Sequence, residues 1–244
     1  MKQSRFEILE NTPLTEDVRL LRLSGDASAI RTPGQFATLK VPGFYLRRPF
    51  SVHDFSENEF SIVYKLAGNG TEELSRLLPG ETLEALTGLG NGYDTSVSGL
   101  RPLLVGGGTG LSPMLCLTRR LAAEGKRPLV LAGFASKKDV FGIEALTAAG
   151  AAVTVTTADG SFGTPGLVTD AFPAEYSYVY ACGPEPMLKA VCRRAETGVQ
   201  LSLEARMGCG FGACMGCTCE TVTGGKRICR EGPVFRKEEL LWEA

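Results

Sequence analysis

Short apolar runs, separated by Gly, Pro, Asp and Asn, fill the first hundred positions of the chain. Runs such as GQFATLKV (34–41) and EFSIVYKL (59–66) contain the β-branched and aromatic residues that strands prefer. Several short strands in succession predict a β-barrel or sandwich. One helical stretch, TEELSRLL (71–78), follows these runs, and Thr71 is its predicted N-cap.

The pattern changes at Arg101, where apolar strands begin to alternate with helical segments. The segment 102–125 reads as a strand, a glycine-rich turn and a helix, with Ser112 as predicted N-cap and Pro113 as the first helical residue. Further apolar strands are predicted at RPLVLAGF (127–134), AAVTVTTA (151–158) and YSYVYAC (176–182). Such alternation predicts βαβ units and a parallel sheet.

The chain is therefore expected to have three parts and a mixed β plus α/β fold. A β-rich domain spans 1–98, an α/β domain spans 99–200, and a cysteine-rich module spans 201–244. No internal repeat or low-complexity linker separates these parts.

Charge and composition exclude some classes of partner. The 26 basic and 27 acidic residues give a net charge of −1, so no electrostatic attraction to nucleic acid or anionic membrane is expected. The first residues lack the apolar core of a secretory signal, and no apolar run approaches the ~20 residues of a membrane helix. A cytoplasmic location is expected, where clustered cysteines indicate metal or redox chemistry more often than disulfides.

Four cysteines near the end of the chain carry the most specific chemical signal. Their spacing, C-x4-C-x2-C-x11-C, begins with the plant-type ferredoxin pattern for a [2Fe–2S] cluster. Intervening glycines let the backbone approach the cluster and point amide groups at its sulfurs. A zinc site, which would normally show two separated C-x2–4-C pairs, fits less well and remains the alternative. The predicted cluster ligands are Cys209, Cys214, Cys217 and Cys229.

The other cysteines have simpler interpretations. Cys219 falls outside the ligand spacing and is interpreted as a spare thiol, although a Cys-x-Cys neighbour could in principle replace a ligand. Cys116 and Cys192 lie on apolar helix faces, where core packing is expected.

RRPFSV in the first half is a candidate flavin site. Arg48 can neutralise a pyrophosphate, and Ser51 and the strand backbone can hydrogen-bond a flavin ring, although a structural arginine at the barrel rim is the alternative. Gly70 and Thr71 begin a predicted helix, whose N-terminus suits phosphate. The strand residues Val63, Tyr64 and Lys65 are expected to face the cofactor.

Two segments of the second half are candidates for binding a dinucleotide. VGGGTGLSPM follows a strand and opens a helix, as a phosphate loop requires, although Leu111 replaces the third glycine of the usual fingerprint. A tight structural turn is the alternative interpretation. YACGPEPML also follows a strand, and Cys182 and Gly183 could lie against a nicotinamide. Lys137 and Lys138 either meet the 2′-phosphate of NADP or belong to a solvated loop.

Together these motifs resemble a known superfamily. RRPFS, GNGT, GGGTG and CGPEPML, in this order and spacing, resemble the ferredoxin–NADP reductases, which have a β-barrel FAD domain and a nucleotide-binding α/β domain. More narrowly, YLRRPFS, GLGNGYD, LEARMGCGFGACMGCTCE and CREGPVF resemble the electron transfer subunits of dihydroorotate dehydrogenase B. The resemblance covers essentially the whole chain, and its cluster motif is the specific part.

The resemblance implies the cofactors and their contacts. FAD would bind through Arg48, Pro49, Phe50, Ser51, Val63, Tyr64, Lys65, Gly70 and Thr71. NAD would bind at Gly107, Gly108, Thr109 and Gly110, with Cys182 and Gly183 near the nicotinamide.

The resemblance also implies the reaction and the partner. Electrons would pass from dihydroorotate through the FMN of a catalytic subunit, the cluster and FAD to NAD+, within a heterotetramer that serves pyrimidine synthesis. A flavin converts between two-electron and one-electron steps, so no acid–base catalytic residue is required. The single histidine, His53, is either an ordinary strand residue or a flavin contact.

Two other functions remain open on the sequence alone. The chain could serve another NAD(P)H-linked complex, of the ferredoxin–NADP oxidoreductase, sulfite reductase or hydrogenase type. Some of those relatives replace one cluster cysteine, whereas all four are present here. A structural zinc-binding interaction protein is the alternative from another class.

Overall fold

The computed structural model describes residues 1–242, and its first part is a closed antiparallel barrel. The strand order around the barrel is β1-β2-β5-β4-β3-β6. The strands are β1 (Lys2–Pro13), β2 (Val18–Ser24), β3 (Phe36–Lys40), β4 (Arg48–Phe55), β5 (Glu59–Lys65) and β6 (Thr82–Leu89). The expected β-rich domain is thus a barrel, not a sandwich.

Alternation along β5 shows how the barrel separates its core from its outer face. Phe60, Ile62 and Tyr64 are buried in the barrel core, where the Phe60 ring packs edge-on against Phe6 at 4.9 Å. Val63 points the other way and packs into an apolar cluster shared with the second domain. Because successive strand residues face opposite sides, one strand supplies both the barrel core and the interdomain contact.

Helix α1 (Asn69–Arg76) closes one end of the barrel and begins earlier than its sequence predicts. Gly68, with φ of +152°, is the N-cap, and no side chain caps the helix. Thr71 lies inside the first turn, where its hydroxyl donates to the Gly68 carbonyl at 2.8 Å. The Thr71 N-cap prediction is therefore wrong, because Gly68 adopts a backbone angle that lets the helix begin three residues sooner.

The second part is a seven-stranded sheet of order β10-β9-β8-β7-β11-β12-β15, parallel except at its last strand. Its strands are β7 (Leu103–Gly107), β8 (Leu129–Phe134), β9 (Ala152–Thr157), β10 (Thr164–Pro165), β11 (Val179–Cys182), β12 (Val199–Ser202) and β15 (Val234–Arg236). Its helices are α2 (Met114–Ala123), α3 (Ile143–Ala148) and α4 (Glu185–Arg194). The expected parallel α/β architecture is confirmed.

The start of α2 also differs from its prediction. Pro113 is the N-cap of this helix, and the buried Ser112 hydroxyl has no hydrogen-bond partner within residues 1–242. The turn from Gly108 to Leu111 is a 3₁₀ helix that runs into α2, so Ser112 already has helical backbone angles. A residue in that conformation cannot place its side chain over the following amides as an N-cap does.

The cysteine-rich part consists of a loop and a hairpin, β13 (Thr218–Thr221) with β14 (Gly224–Arg227). It is joined to the second domain, because β15 pairs antiparallel with β12. Its last two positions, 243 and 244, lie outside the described residues. Within residues 1–242, no helix has the length and apolar character needed to cross a membrane.

Candidate redox site

Backbone N–H groups that donate to sulfur join the four predicted cluster cysteines in two pairs. The sulfur of Cys209 accepts backbone N–H groups from Ala213 at 3.2 Å and from Cys214 at 3.4 Å. The sulfur of Cys217 accepts the N–H of Cys229 at 3.4 Å, which brings together cysteines twelve positions apart. Cys214 is exposed, whereas Cys217 and Cys229 are buried, so the site has one edge at the surface.

Four cysteine thiols are the donor set of a [2Fe–2S] cluster, in which two cysteines bind each of the two irons. The two pairs, Cys209 with Cys214 and Cys217 with Cys229, therefore fit that cluster.

The thiol loop, residues 209–217, also favours the ionised form of its first cysteine, Cys209. Burial alone would disfavour the thiolate of Cys209, but hydrogen bonds from the backbone of Cys214, Phe211 and Ala213 outweigh it and lower the pKa to about 6. Amides that point at sulfur stabilise negative charge there, which is what a cluster ligand requires. Gly208 leaves room for this wrapping, since a Cβ there would lie 3.3 Å from the sulfur of Cys214.

At the barrel edge, Arg48 lies over the N-terminus of α1. A Cβ on Gly70 would come within 2.6 Å of the Arg48 Nε, so a larger residue here would displace the guanidinium from this position. Arg48 also donates to the Leu46 carbonyl at 2.6 Å and lies over the Phe44 ring, 4.8 Å from its centroid. A guanidinium beside a helix N-terminus offers two sources of positive charge to a pyrophosphate.

A cavity of about 210 Å³ lies where the barrel, the α/β domain and the cysteine-rich part meet. Ser112 lines this cavity, and its buried hydroxyl has no hydrogen-bond partner within residues 1–242. Such a hydroxyl suits a polar ligand such as a flavin ring. The predicted FAD residues on this wall are Pro49, Phe50, Ser51, Val63, Tyr64 and Lys65. Arg48, Gly70 and Thr71 lie outside it, at the barrel edge beside α1.

Tyr64 contributes differently from its two neighbours. Its hydroxyl donates to the Asn11 side chain at 2.8 Å within the barrel, and Asn11 in turn donates to the Leu74 carbonyl of α1 at 2.9 Å. Burial raises the pKa of Tyr64 to about 12. The Tyr64 side chain thus faces the barrel core and supports α1, which leaves its main chain toward the cavity.

A larger cavity of about 860 Å³ opens at the carboxyl ends of the parallel strands. Gly107, Gly108 and Thr109 line it, as the phosphate-loop interpretation requires. In open α/β sheets, ligands bind in the crevice at this end of the strands. The volume and position fit a dinucleotide.

Three other predicted dinucleotide residues lie behind this wall. Gly110 is buried against β11, where a Cβ would meet the Cys182 carbonyl oxygen at 2.2 Å. Cys182 is buried, and burial raises the pKa of its thiol to about 12. Gly183 packs against Gly107, and its neighbour Pro184 lines the cavity instead. Gly110 and Gly183 therefore allow close backbone packing beneath the loop.

The two cavities share a wall formed by Lys65, Thr109 and Glu204. Glu204 reaches solvent through the cavities, yet the surrounding protein raises the pKa of its carboxyl above the usual value. The sequence interpretation missed Glu204 and Ser202, which also lines the smaller cavity. Their position a few residues before the first cluster cysteine, Cys209, was the available signal.

The two lysines after β8 have different surroundings. Lys138 lines the large cavity together with Ser136 and Asp139. Lys137 does not line it, and its ammonium lies over the Phe162 ring, 6.0 Å from the centroid. Only Lys138 is placed to meet a bound dinucleotide.

His53 and the remaining cysteines lie away from both cavity walls. The Nδ1 atom of His53 lies 2.7 Å from the Ser112 carbonyl, and burial lowers the pKa of its imidazole. Cys116 is buried on α2, where its sulfur lies 3.7 Å from the Val52 carbonyl of β4. Cys192 is half-buried on α4, and Cys219 is half-buried on β13. These positions agree with the structural interpretations of all four residues.

The barrel, the adjoining cavities and the thiol loop define a class of protein: an NAD-linked flavoprotein oxidoreductase subunit with an iron–sulfur module. The family described as the iron–sulfur cluster binding domain of dihydroorotate dehydrogenase B matches residues 204–241, and the oxidoreductase NAD-binding domain matches residues 104–193.

Proteins that are similar over most of this chain identify a family within this class. The dihydroorotate dehydrogenase B (NAD(+)) electron transfer subunit of Listeria monocytogenes serotype 4a is 39% identical, covering 98% of this chain and 99% of its own. That of Caldanaerobacter subterraneus subsp. tengcongensis is 42% identical over 86% of this chain and 87% of its own. The chain belongs to this family of electron transfer subunits, whose cofactors are a [2Fe–2S] cluster, FAD and NAD.

Solved structures agree on the architecture. A chain of the NADH-dependent reduced ferredoxin–NADP oxidoreductase superposes with a TM-score of 0.87 and 29% identity, covering 97% of this chain and 90% of that one. The cytochrome P450 reductase GcoB of Amycolatopsis, at 23% identity and a TM-score of 0.68, shares the fold over 79% of this chain.

Proposed function

We propose that this chain carries electrons between an FMN-containing dihydroorotate dehydrogenase subunit and NAD+ in pyrimidine biosynthesis. The observation that carries the proposal is the segment Ser202–Cys209, which lines the smaller cavity, reaches the larger one through Glu204 and ends at the first cluster cysteine. One short segment therefore adjoins all three candidate cofactor sites.

The proposed cofactor contacts follow the cavities and the thiol loop. We assign Cys209, Cys214, Cys217 and Cys229 to the cluster. We assign Arg48, Gly70 and Thr71 to the FAD pyrophosphate, and Pro49, Phe50, Ser51, Val63, Lys65 and the main chain of Tyr64 to the flavin ring. NAD is assigned to Gly107, Gly108 and Thr109, with Gly110, Cys182 and Gly183 as packing beneath the loop. The proposed units are 1–98, 99–200 and 201–244, with strand β15 of the third unit completing the sheet of the second.

When bound, NAD exchanges a hydride, FAD exchanges electrons in pairs or singly, and the cluster carries one electron at a time. The chain's own residues bind and orient these groups. Arg48 and the α1 N-terminus bind the negatively charged pyrophosphate of FAD. Lys65 and Thr109 lie in the wall between the two cavities. Cys182 keeps its proton, because burial raises its pKa to about 12, so its thiol packs rather than ionises.

The partner is proposed from the family and from the exposed edge of the thiol loop. Cys214 reaches the surface, which suits exchange of electrons with another protein. A heterotetramer with two FMN-containing catalytic subunits, in the cytoplasm, is the proposed assembly. Relatives named as electron transfer subunits support this reading.

Anaerobic affinity purification of the tagged chain from its own cells tests the proposal. Stoichiometric recovery of an FMN-containing subunit, together with dihydroorotate-dependent reduction of NAD+, is the expected result. Recovery of a subunit of another redox enzyme, with no dihydroorotate activity, would overturn the substrate and partner. Iron, sulfide and FAD analysis of the same sample distinguishes that outcome from a zinc protein.

A second candidate is a subunit of a ferredoxin–NADP oxidoreductase complex. The superposition at a TM-score of 0.87 with a chain of that enzyme favours it. Identity of 39% along the whole length to a dihydroorotate dehydrogenase B subunit favours the first proposal. Ferredoxin-dependent reduction of NADP+ by the purified complex would identify the second candidate.

A further inference from the structure

One peptide of the thiol loop has hydrogen bonds on both of its sides. The N–H of Ala213 donates to the sulfur of Cys209 at 3.2 Å. The carbonyl of Gly212, which belongs to the same peptide, accepts from the Nη1 of Arg227 at 2.7 Å. In a trans peptide, N–H and C=O point in opposite directions, so this peptide lies between the guanidinium and the sulfur.

Arg227 is itself held firmly in this position. Its Nε donates to the Glu231 carboxylate at 2.9 Å, its Nη2 donates to the other carboxylate oxygen, and its backbone N–H adds a third bond at 2.8 Å. Its carbonyl accepts the N–H groups of Arg230 at 3.0 Å and Glu231 at 2.9 Å. A two-point arginine–carboxylate pair fixes the orientation of the guanidinium plane.

Gly212 allows the close approach of this arginine. Its φ of +92° is accessible to glycine, and a Cβ there would lie 2.7 Å from the Cδ of Arg230 and 3.3 Å from the Nη1 of Arg227. The loop is therefore built so that Arg227 reaches the peptide oxygen directly.

We propose that Arg227 is a positioning residue that tunes the reduction potential of the cluster through the Gly212–Ala213 peptide. The inference rests on the proposed role of Cys209 as a cluster ligand. Reduction adds negative charge to the cluster, and an N–H donor aimed at a ligand sulfur stabilises that charge. A cation bound to the carbonyl oxygen polarises the peptide and strengthens the bond at its other end. Arg227 therefore raises the potential.

Arg227→Met in the purified holoprotein tests this role, with Arg230→Met as matched control. Arg230 is an exposed cation beside the same glycine, and its aliphatic stem, which methionine retains in part, makes the packing contact. The readouts are an anaerobic redox titration followed by the electron paramagnetic resonance signal of the reduced cluster, and the coupling of exchangeable protons to that signal.

At a fixed potential, Arg227→Met should lower the reduced-to-oxidised ratio of the cluster about tenfold, equivalent to about 59 mV for one electron. The coupling of one exchangeable proton should weaken. Arg230→Met should change the ratio much less and leave the coupling intact. Arg227→Lys keeps the charge but cannot bridge Glu231 and Gly212 as a fork does, so it should restore the ratio only in part.

Equal shifts of the cluster potential in Arg227→Met and Arg230→Met would show that only the loss of a nearby positive charge matters. That result would overturn the positioning role of Arg227. An unchanged potential in Arg227→Met, with a normal wild-type cluster, would overturn this inference and leave the proposed function intact. A wild-type protein without a [2Fe–2S] signal would overturn both. If Arg227→Met does not retain iron, Arg227→Gln decides, because this variant also removes the guanidinium charge from the Gly212 carbonyl and should lower the potential in the same direction.

Discussion

Asn91 and Val234, 143 residues apart, form a reciprocal hydrogen-bonded pair. The Asn91 amide donates to the Val234 carbonyl at 2.7 Å and accepts the Val234 N–H at 3.1 Å. The same amide group donates to the Glu231 carbonyl at 3.0 Å. This side chain ties the loop after the barrel to the strand that follows the last cluster cysteine.

Asn91→Ala should lower the free energy of unfolding by about 1–2 kcal/mol, because several hydrogen bonds at a partly buried site lose their partner. The measurement is anaerobic thermal and urea unfolding of the holoprotein. Asn58→Ala, at an exposed position, is the control and should change stability by less than about 0.5 kcal/mol. Equal behaviour of the two variants would contradict the role of Asn91 in joining the domains.

Cys214→Ser should lose most of its iron and its dihydroorotate-linked activity, while FAD stays bound and NADH-dependent dye reduction persists. The reason is that Cys214 forms one of the two thiol pairs, whereas the cavities for FAD and NAD lie outside the thiol loop. Iron analysis and visible spectra provide the measurement.

The matched control for that variant is Cys219→Ser, in the same module but outside both thiol pairs. It should retain iron and activity. Loss of dye reduction from Cys214→Ser with FAD still bound would show that the flavin does not receive electrons from NADH first.

Arg48→Met should weaken FAD binding about 10- to 100-fold, the range expected when hydrogen bonds to a charged group are lost. Equilibrium FAD binding to the deflavinated protein measures it. Arg47→Met is the control within the same dipeptide, since Arg47 pairs with Glu84 and donates to its carbonyl at 3.2 Å. An equal effect of the two substitutions would assign the loss to barrel stability rather than to pyrophosphate binding.

Lys138→Ala should lower kcat/KM for NADPH about tenfold, because one charge-assisted contact to a 2′-phosphate is lost. The value for NADH should stay within about twofold, since the 2′-hydroxyl carries no charge. Lys137→Ala should change neither value, because its ammonium lies over Phe162, away from the large cavity. If Lys138→Ala lowered kcat/KM for NADH and left that for NADPH unchanged, Lys138 would not contact the 2′-phosphate.

Glu204→Gln should stabilise the protein at neutral pH and have little effect at acidic pH. Although Glu204 reaches solvent, desolvation by the cavity walls around it raises its folded-state pKa above the ordinary value of 4.5, so the folded state holds this proton more tightly than the unfolded chain. Its contribution to stability therefore falls as pH rises through the window above 4.5, and the amide removes that loss.

Thermal midpoints of the wild type and Glu204→Gln between pH values below and well above 4.5 provide the measurement. Glu57→Gln, at an exposed position, is the control for replacing a surface carboxylate by an amide. A constant gain across the range would assign the effect of Glu204→Gln to packing instead of ionisation.

Local sequence signals predicted the barrel strands, the parallel sheet and the iron–sulfur module correctly. Alternating apolar residues identify strands such as β5, and the spacing of Cys209, Cys214 and Cys217 identifies a cluster loop, because both signals arise within a few residues. The sequence also predicted the glycine-rich turn after β7, since its position between strand and helix is a local property.

Helix ends and side-chain directions were harder to predict from the sequence. Thr71 and Ser112 have the composition of N-caps, yet backbone angles at Gly68 and along the 3₁₀ turn moved the caps elsewhere. Tyr64 was expected to face the flavin, but the pairing register of the barrel turns its ring toward Asn11. Register depends on which strands meet, so a single strand does not reveal it.

The sequence by itself determined the change from barrel strands to alternating strands and helices, the spacing of the cysteines and the glycine-rich turn after β7. Only the tertiary structure decided that Glu204 lies between two cavities, that Arg227 reaches the peptide beside Cys209, and that Asn91 binds Val234. The physical reason is distance along the chain. Periodicity and spacing act over a few residues, whereas these contacts join segments brought together by sheet pairing and core packing.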